Sequence, residues 1–543
     1  MGKAWLVRPL DVGQIEQLSR AANVPNVVAQ LLLNRGIDRP ESVAEFLAAR
    51  LKNLRDPEQL PGLAAAADHI HAAVSAGEKI TIYGDYDADG MTGTSILLRC
   101  LRLMGANVDF YIPHRIDEGY GVNRAALQKL ADRGTRLVVT VDCGITSVEE
   151  VEAAKAAGLR MIITDHHDFA ASIPAADAVV HPRLPGSDYP FAGLCGAGVA
   201  FKLAWALCQR ATGATRVSER YKNFLISAIG VAAIGTVADV VPLIDENRLI
   251  VRHGLNALLE HPVPGVRALL DVTPLRQRAH LSSEDIAFTL APRLNASGRL
   301  GQANLGVELL STDSIERAAD LAKFLNEMNE DRASIERSIY LAANKQVKER
   351  FDVENEPALV LADHGWHSGV IGIVAGRLAE KYSRPVVMIA LDELGKSVGV
   401  GSARSALGVN LHTALTSCAD HLEAFGGHAA AAGLKIHQTH IDRFRDHFCQ
   451  EVAQRVPSDC RTAELHIDVE SPLVQLTLRT VAQIEQLAPF GEGNPRPLLC
   501  ANRVMLDGPP KTMGAGQRHL ALGLSQQGVS LRGVAFGQGE SPR

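Results

Sequence analysis

Ile80-Thr-Ile-Tyr-Gly-Asp85-Tyr-Asp87-Ala-Asp89-Gly-Met-Thr92 is the stretch that decides the fold. β-Branched and aromatic residues alternate from Lys79 to Tyr83, which predicts a strand. Gly84 breaks it, and three carboxylates follow at two-residue spacing. Ser95-Ile-Leu-Leu-Arg-Cys-Leu-Arg-Leu103 then predicts a helix. The acids therefore lie in a strand-to-helix turn, the place where open α/β sheets bind ligands. Three like charges on one short turn repel each other. A divalent cation is the simplest compensation; a solvated acidic turn is the competing reading of this stretch alone.

The pattern repeats downstream. Asn107-Val-Asp-Phe-Tyr-Ile112 predicts a strand, followed by Pro113-His114-Arg115 and Glu118-Gly-Tyr-Gly121. Leu137 to Val141 is an apolar strand ending at Asp142-Cys-Gly144, with a helix from Ser147 to Ala157. Met161-Ile-Ile163 is another, ending at Thr164-Asp165-His166-His167-Asp168, and Ala178-Val-Val180 is a short further one. Strands alternating with helices predict a parallel sheet. Three strands end in ligand-type residues: Asp87 with Asp89, Asp142, and Asp165 with His166 and His167. All three sets thus fall on the carboxyl edge of one sheet. Oxygen and imidazole without thiolate suit Mn²⁺ or Mg²⁺ better than structural zinc. The surplus of carboxylates predicts two ions, with Asp142 a candidate bridge; such pairs activate water and clamp phosphoryl oxygens.

At 543 residues the chain has room for three or four domains of about 100–200 residues each. A net charge of −6 gives no global positive field, so a nucleic-acid partner would need a local basic groove. The eight cysteines include no C-x-x-C pair, which predicts free thiols in a reducing compartment. Met-Gly-Lys-Ala-Trp lacks the apolar core of a signal peptide. The apolar run Leu225 to Ile244 is long enough to span a bilayer, but it carries Gly230, Gly235, Asp239 and Pro242. It reads as a buried helix followed by a turn that offers Asp239 as a further ligand. A soluble cytoplasmic protein with no membrane association is expected.

Residues 1 to about 75 read as helices. Residues 282–299 include Ala291-Pro-Arg293-Leu-Asn295-Ala-Ser-Gly298-Arg299, read either as a phosphate-serving segment or as a polar loop with surface charges. Residues 314–350, periodic and free of Gly and Pro, predict a long helix between domains. A second α/β unit begins near Ala358. In it Ser402 and Arg404 sit in a Gly- and Ala-rich turn, and Phe425-Gly-Gly-His428 offers either close approach to a ligand or tight helix–strand packing. From about residue 460 the chain reads as β-rich.

Together these motifs resemble the DHH phosphoesterases, and within them the single-strand-specific exonucleases of bacteria. The resemblance is carried by Tyr-Gly-Asp-Tyr-Asp-Ala-Asp-Gly at 83–90, Val-Thr-Val-Asp-Cys-Gly-Ile at 139–145 and Asp-His-His at 165–167. It continues through Gly-Thr-Val-Ala-Asp-Val-Val-Pro at 235–242 and Arg-Leu-Asn-Ala-Ser-Gly-Arg at 293–299. Gly-Ser-Ala-Arg-Ser at 401–405 and Phe-Gly-Gly-His at 425–428 resemble the associated DHHA1 domain. The resemblance implies Asp87, Asp89, Asp142, His166 and Asp239 as metal ligands, with Asp85 and Asp165 supporting them. It implies that His167 contacts the scissile phosphate or assists the metals, so that His166, His167 and Asp142 form the catalytic group. Arg115, Arg299, Ser402 and Arg404 would hold the terminal phosphate and backbone, with His428 also on the substrate side.

The implied architecture is α/β. It comprises an N-terminal helical segment (1–75), a parallel-sheet DHH domain (76–313), a connecting helix (314–350), a DHHA1 domain (351–458) and a β-rich OB-like region (459–543). That last region is short for a closed barrel, because the strands expected after Gly533-Val-Ala-Phe536 are missing. The implied activity is 5′→3′ exonucleolytic hydrolysis of single-stranded DNA with a 5′-phosphate, giving nucleoside 5′-monophosphates in DNA repair and recombination. Two Mn²⁺ or Mg²⁺ ions are the implied cofactors. A monomer working with a single-strand-binding protein and a RecQ-type helicase is expected. The competing functions are a phosphodiesterase of short oligonucleotides or cyclic dinucleotides, and an inactive DNA-binding scaffold. The second would be expected to have lost ligands that here are all present.

Overall fold

A computed structural model describes residues 4–115, 118–353, 355–392, 398–456 and 464–539. The chain divides into two compact units. One runs from Leu54 to Ala463; the other joins Lys3–Asn53 to Glu464–Arg543.

The first unit is built on a five-stranded parallel sheet. Its order is Val108–Tyr111, Ile80–Gly84, Leu137–Val141, Arg160–Thr164, Ala178–Val180. The strands that end at Gly84 and Val141 are wholly buried, which is why Leu137–Val141 reads as an apolar run. Helices Ala88–Leu103, Gly196–Thr212 and Glu219–Ala238 pack on one another beside it. The last of these is long and apolar enough to cross a membrane, but most of its apolar stretch is buried inside this unit. Asp239 caps its C-terminus, in the turn expected for it.

Residues 282–299 are helical, not a polar loop. A capping box at Ser282 starts a short turn, a π-helical segment Ile286–Leu290 follows, and then the α-helix Ala291–Arg299. Pro292 is tolerated near the start of that helix. Gly298 is there for packing: a Cβ on it would stand 2.0 Å from the backbone oxygen of Tyr86. The helix Ile315–Arg350 spans 36 residues and is capped by Ser314. It leads into a mixed sheet ordered Ala424–Gly427, Ala431–Ile436, Gly399–Arg404, Val386–Leu391, Leu359–His364, of which only the last two strands are parallel. Ser402 and Arg404 therefore lie on a strand rather than in a turn. The small residues around them serve packing, since a Cβ on Gly401 would meet Leu434 at 2.5 Å.

In the second unit, helices Val12–Ala22 and Asn26–Leu33 bury Ile15, Leu18, Val28 and Leu31 against Val469, Leu487 and Phe490. The N-terminal segment is not all helix. Ala4–Val7 is a strand paired in parallel with Glu464–Ile467. Four residues are too few for periodicity to reveal, and the partner lies far along the chain. The C-terminal β-region is a sheet in which His519–Gln526 pairs with Met505–Leu506, Lys511–Met513 and Val529–Ala535. Residues 540–543 lie outside the described residues.

Candidate metal centre and phosphate pocket

The carboxyl edge of the parallel sheet gathers Asp85, Asp87, Asp89, Asp142, His166 and His167, and the turn after Glu219–Ala238 adds Asp239. Three groups of ligand atoms form, each with its atoms within 4.8 Å of one another: Asp85, Asp87 and Asp142; Asp89, His166 and Asp239; Asp142, His166 and His167.

Local structure fixes each carboxylate. Asp87 is the N-cap of Ala88–Leu103, and its Oδ1 accepts from the amides of Asp89 (2.9 Å) and Gly90 (3.0 Å). Asp89 is fully buried and accepts from the amides of Gly196 (2.6 Å) and Ala197 (2.9 Å) at the start of another helix. Asp142 follows the central strand with a left-handed backbone (φ 64°), a conformation Asp tolerates better than most residues. Close helix approach depends on small residues, since a Cβ on Gly196 would stand 2.6 Å from that of Asp142. A Cβ on Gly235 would stand 2.6 Å from Asp89 Oδ1.

Electrostatics sort the groups. Burial, then the neighbouring carboxylates, pushes Asp89 up to about 6 and Asp239 up to about 9, and raises Asp85 and Asp142 well above the usual range. Burial, then the charge of His167, lowers His166 to about 3, so its imidazole is neutral and can offer a lone pair. Asp165 behaves in the opposite way. Burial pushes its carboxyl up, but His167 and the Ile145 amide outweigh that and hold it at about 2. Burial lowers His167, yet its 2.7 Å contact with Asp165 leaves it raised overall.

Among the described residues, four buried carboxylate or imidazole atoms have no hydrogen-bond partner: Asp85 Oδ1, Asp142 Oδ1, His166 Nε2 and Asp239 Oδ2. Buried polar atoms are seldom left so. Burial, then Asp89, pushes the nearby Cys195 thiol up, so it offers no thiolate. Orphaned carboxylate oxygens around a neutral imidazole fit hard divalent ions such as Mn²⁺ and Mg²⁺.

A second cluster lies beside the first. The Arg115 guanidinium sits 4.9 Å from the centre of the Tyr86 ring, and Tyr86 is the residue between Asp85 and Asp87. Arg299 donates to Gly369 O (3.1 Å); burial, then Arg115 and Arg404, lowers it to about 10. Arg404 donates to Ser402 Oγ at 3.0 Å. Glycine at 372 leaves room for both, since a Cβ there would meet Ser402 Oγ and Arg404 Nη2 at 2.8 Å. Of the two arginines in 293–299, Arg293 is engaged with Asn326 and Thr289 O instead.

His428 does not join this pocket. Its ring stacks on His167 (6.4 Å, 16°), and its Nδ1 lies 3.6 Å from Asp168. Residues to which the sequence assigned no role also line the centre. Asn295 Oδ1 accepts from the Ala88 amide at 2.9 Å. His181 and Arg183 hold the backbone oxygens of His167 and His166. Tyr120 reaches His167. Of these, Tyr120 alone carried a signal, as the aromatic residue between two glycines.

Residues 79–229 match the model of the DHH family N-terminal domain, residues 355–454 the DHHA1 domain, and residues 467–543 the RecJ OB domain. The single-stranded-DNA-specific exonuclease RecJ of Bacillus subtilis is 37% identical over 537 residues, covering 99% of this chain and 66% of that protein. The chain thus spans just under two thirds of that relative's length. The protein of the same name from Dickeya dadantii is 34% identical, with 95% and 89% covered. Among solved structures, RecJ from Thermus thermophilus in complex with Mn²⁺ superposes with a TM-score of 0.82 at 32% identity, covering 99% of this chain and 75% of that one. An exonuclease RecJ bound to manganese gives 0.63 at 35% identity, with 74% and 97% covered.

Proposed function

The chain belongs to the RecJ family, built on DHH, DHHA1 and OB domains, and from that premise we propose that it is a metal-dependent 5′→3′ exonuclease that hydrolyses single-stranded DNA to nucleoside 5′-monophosphates. One observation carries the reading. A pocket of three guanidiniums is separated from a carboxylate centre by the single residue Tyr86. A 5′-phosphate held in the pocket places the first phosphodiester toward that centre.

In this reading Asp85, Asp87, Asp89, Asp142, His166 and Asp239 hold two Mn²⁺ or Mg²⁺ ions. Once bound, these ions supply Lewis acidity toward water and the phosphoryl oxygens. The protein's own groups do the rest. Arg404, Ser402, Arg299 and Arg115 bind the terminal phosphate through charge-assisted hydrogen bonds. His167, held at Nδ1 by Asp165, contacts the scissile phosphate. The backbone amides of Gly196 and Ala197 fix Asp89 before substrate arrives. His428, stacked on His167, lines the substrate path.

The OB region supplies further grip on the strand. The enzyme works as a cytoplasmic monomer in DNA repair and recombination, on strands opened by a RecQ-type helicase and covered by single-strand-binding protein.

Digestion of end-labelled oligonucleotides with Mn²⁺ or Mg²⁺, with the products sized, tests the proposal. Monophosphates released from the 5′ end of single strands, with blunt duplex cut poorly, are expected. Rapid cleavage of dinucleotides with long strands untouched would instead make it a small-substrate phosphodiesterase.

A further inference from the structure

Glu118-Gly-Tyr-Gly121 has no part in the metal ligands or the phosphate pocket, yet the fold braces it at both ends. Glu118 accepts from the Tyr111 hydroxyl (2.6 Å) and from the His114 amide (2.7 Å). Gly121 O accepts from the Tyr83 hydroxyl (3.1 Å), which Asn123 holds in turn. Gly119 (φ 80°) and Gly121 (φ 87°) both take backbone conformations that a side chain would strain, and so they present the residue between them. That residue is Tyr120, half exposed.

Its hydroxyl lies at a junction. It donates to Asp142 O at 3.2 Å and stands 3.1 Å from His167 Nδ1. A phenol has one proton, so with that proton on Asp142 O the oxygen accepts from His167 Nδ1–H. The same N–H reaches Asp165 Oδ1 at 2.7 Å. Two acceptors therefore hold Nδ1 in place, and Nε2 is left as the ring nitrogen available to a substrate. The Tyr120 ring meets His167 edge-on at 5.6 Å and Tyr86 edge-on at 6.5 Å. Tyr86 carries Arg115. Tyr120 thus spans the distance from the phosphate pocket to the DHH residues.

We infer that Tyr120 is a positioning residue for hydrolysis: its hydroxyl fixes the His167 ring against the backbone of Asp142, so that Nε2 faces the scissile phosphate. Asp165 supplies one point of attachment at Nδ1, and Tyr120 supplies the second point that sets the rotation of the ring. This inference rests on the function proposed above.

The test is Tyr120→Phe, which removes one oxygen and keeps the ring. With single-stranded DNA, kcat should fall about 10–100-fold, the usual cost of an outer hydrogen bond to an active-site imidazole. KM should stay within about twofold, and the Mn²⁺ affinity of the protein, read by calorimetry, should not change. Wild-type kcat in the variant would overturn the inference. So would a parallel loss of Mn²⁺ affinity, which would place the effect at Asp142 instead of His167. The same pair is compared on bis(p-nitrophenyl) phosphate, a small diester that needs no groove. If wild type cleaves it but not DNA, the proposed function fails, while a kcat loss in the variant still supports the role of Tyr120.

Discussion

His166 Nε2 stands 3.1 Å from Asp142 Oδ1, and neither atom makes a hydrogen bond. Asp239 Oδ2 lies 3.5 Å from the same nitrogen, also without a partner. Three buried polar atoms converge on one another without a hydrogen bond among them, an arrangement that a cation would satisfy.

Asp142 belongs to two of the three ligand groups, so its loss disturbs both. Asp142→Ala is expected to remain folded and to lose hydrolytic activity by orders of magnitude. Its Mn²⁺ isotherm should fall to at most one site. A variant with two intact sites would refute the bridging role.

The raised carboxylates make the stability of the metal-free protein depend on pH. Asp89 at about 6 and Asp239 at about 9 lie above the ordinary carboxylate range because of burial and then the neighbouring charges. A group raised in the folded state contributes its full stability below its unfolded pKa and loses it as pH rises through the folded value. With chelator present, the melting temperature should therefore fall from about pH 5 to pH 8. Mn²⁺ should raise it, and by more at the higher pH. A flat profile in chelator would contradict the burial of these groups.

Arg404→Ala should cost on the order of 1.5–3 kcal/mol at a phosphorylated 5′ end, the worth of a hydrogen bond to a charged group. That corresponds to roughly 10–150-fold in binding. Ends bearing a 5′-hydroxyl should be nearly unaffected. Equal losses on both ends would move the phosphate elsewhere.

Gly298→Ala puts a methyl 2.0 Å from Tyr86 O, so either the Ala291–Arg299 helix or the acidic turn must move. A loss of about 1–3 kcal/mol is expected. Because Tyr86 sits between Asp85 and Asp87, weaker Mn²⁺ binding should accompany it. Thermal melting and calorimetry together check both effects.

The acidic edge was legible because each strand is short, buried and apolar, and each stops at its ligand. Position in sequence then equals position in space. The arginine cluster proposed to hold phosphate was legible in its residues but not in its backbone. Pro292 and Gly298 resemble loop residues, and only the approach of Tyr86 explains why they stand in a helix. Ser402 and Arg404 read as a turn for a similar reason, since small residues demanded by Leu434 look like flexibility. Tyr120 stood out only as the aromatic residue between two glycines, and its role could not be assigned. Its partners Asp142 and His167 are 22 and 47 residues away, and no local pattern encodes a hydrogen bond across that span.

The pairing of Ala4–Val7 with Glu464–Ile467 has a consequence for biosynthesis. At about 5–20 residues per second, roughly 20–90 s pass between the emergence of the first strand and that of its partner. Through that interval Ile15, Leu18 and Leu31 have no Val469, Leu487 or Phe490 to cover them. The unit from Leu54 is continuous and is free to fold in the meantime. Nascent chains stalled before residue 464 should lose residues 12–33 to protease while the segment beyond Leu54 resists. Helices Val12–Ala22 and Asn26–Leu33 are thus synthesised well before the residues that cover them.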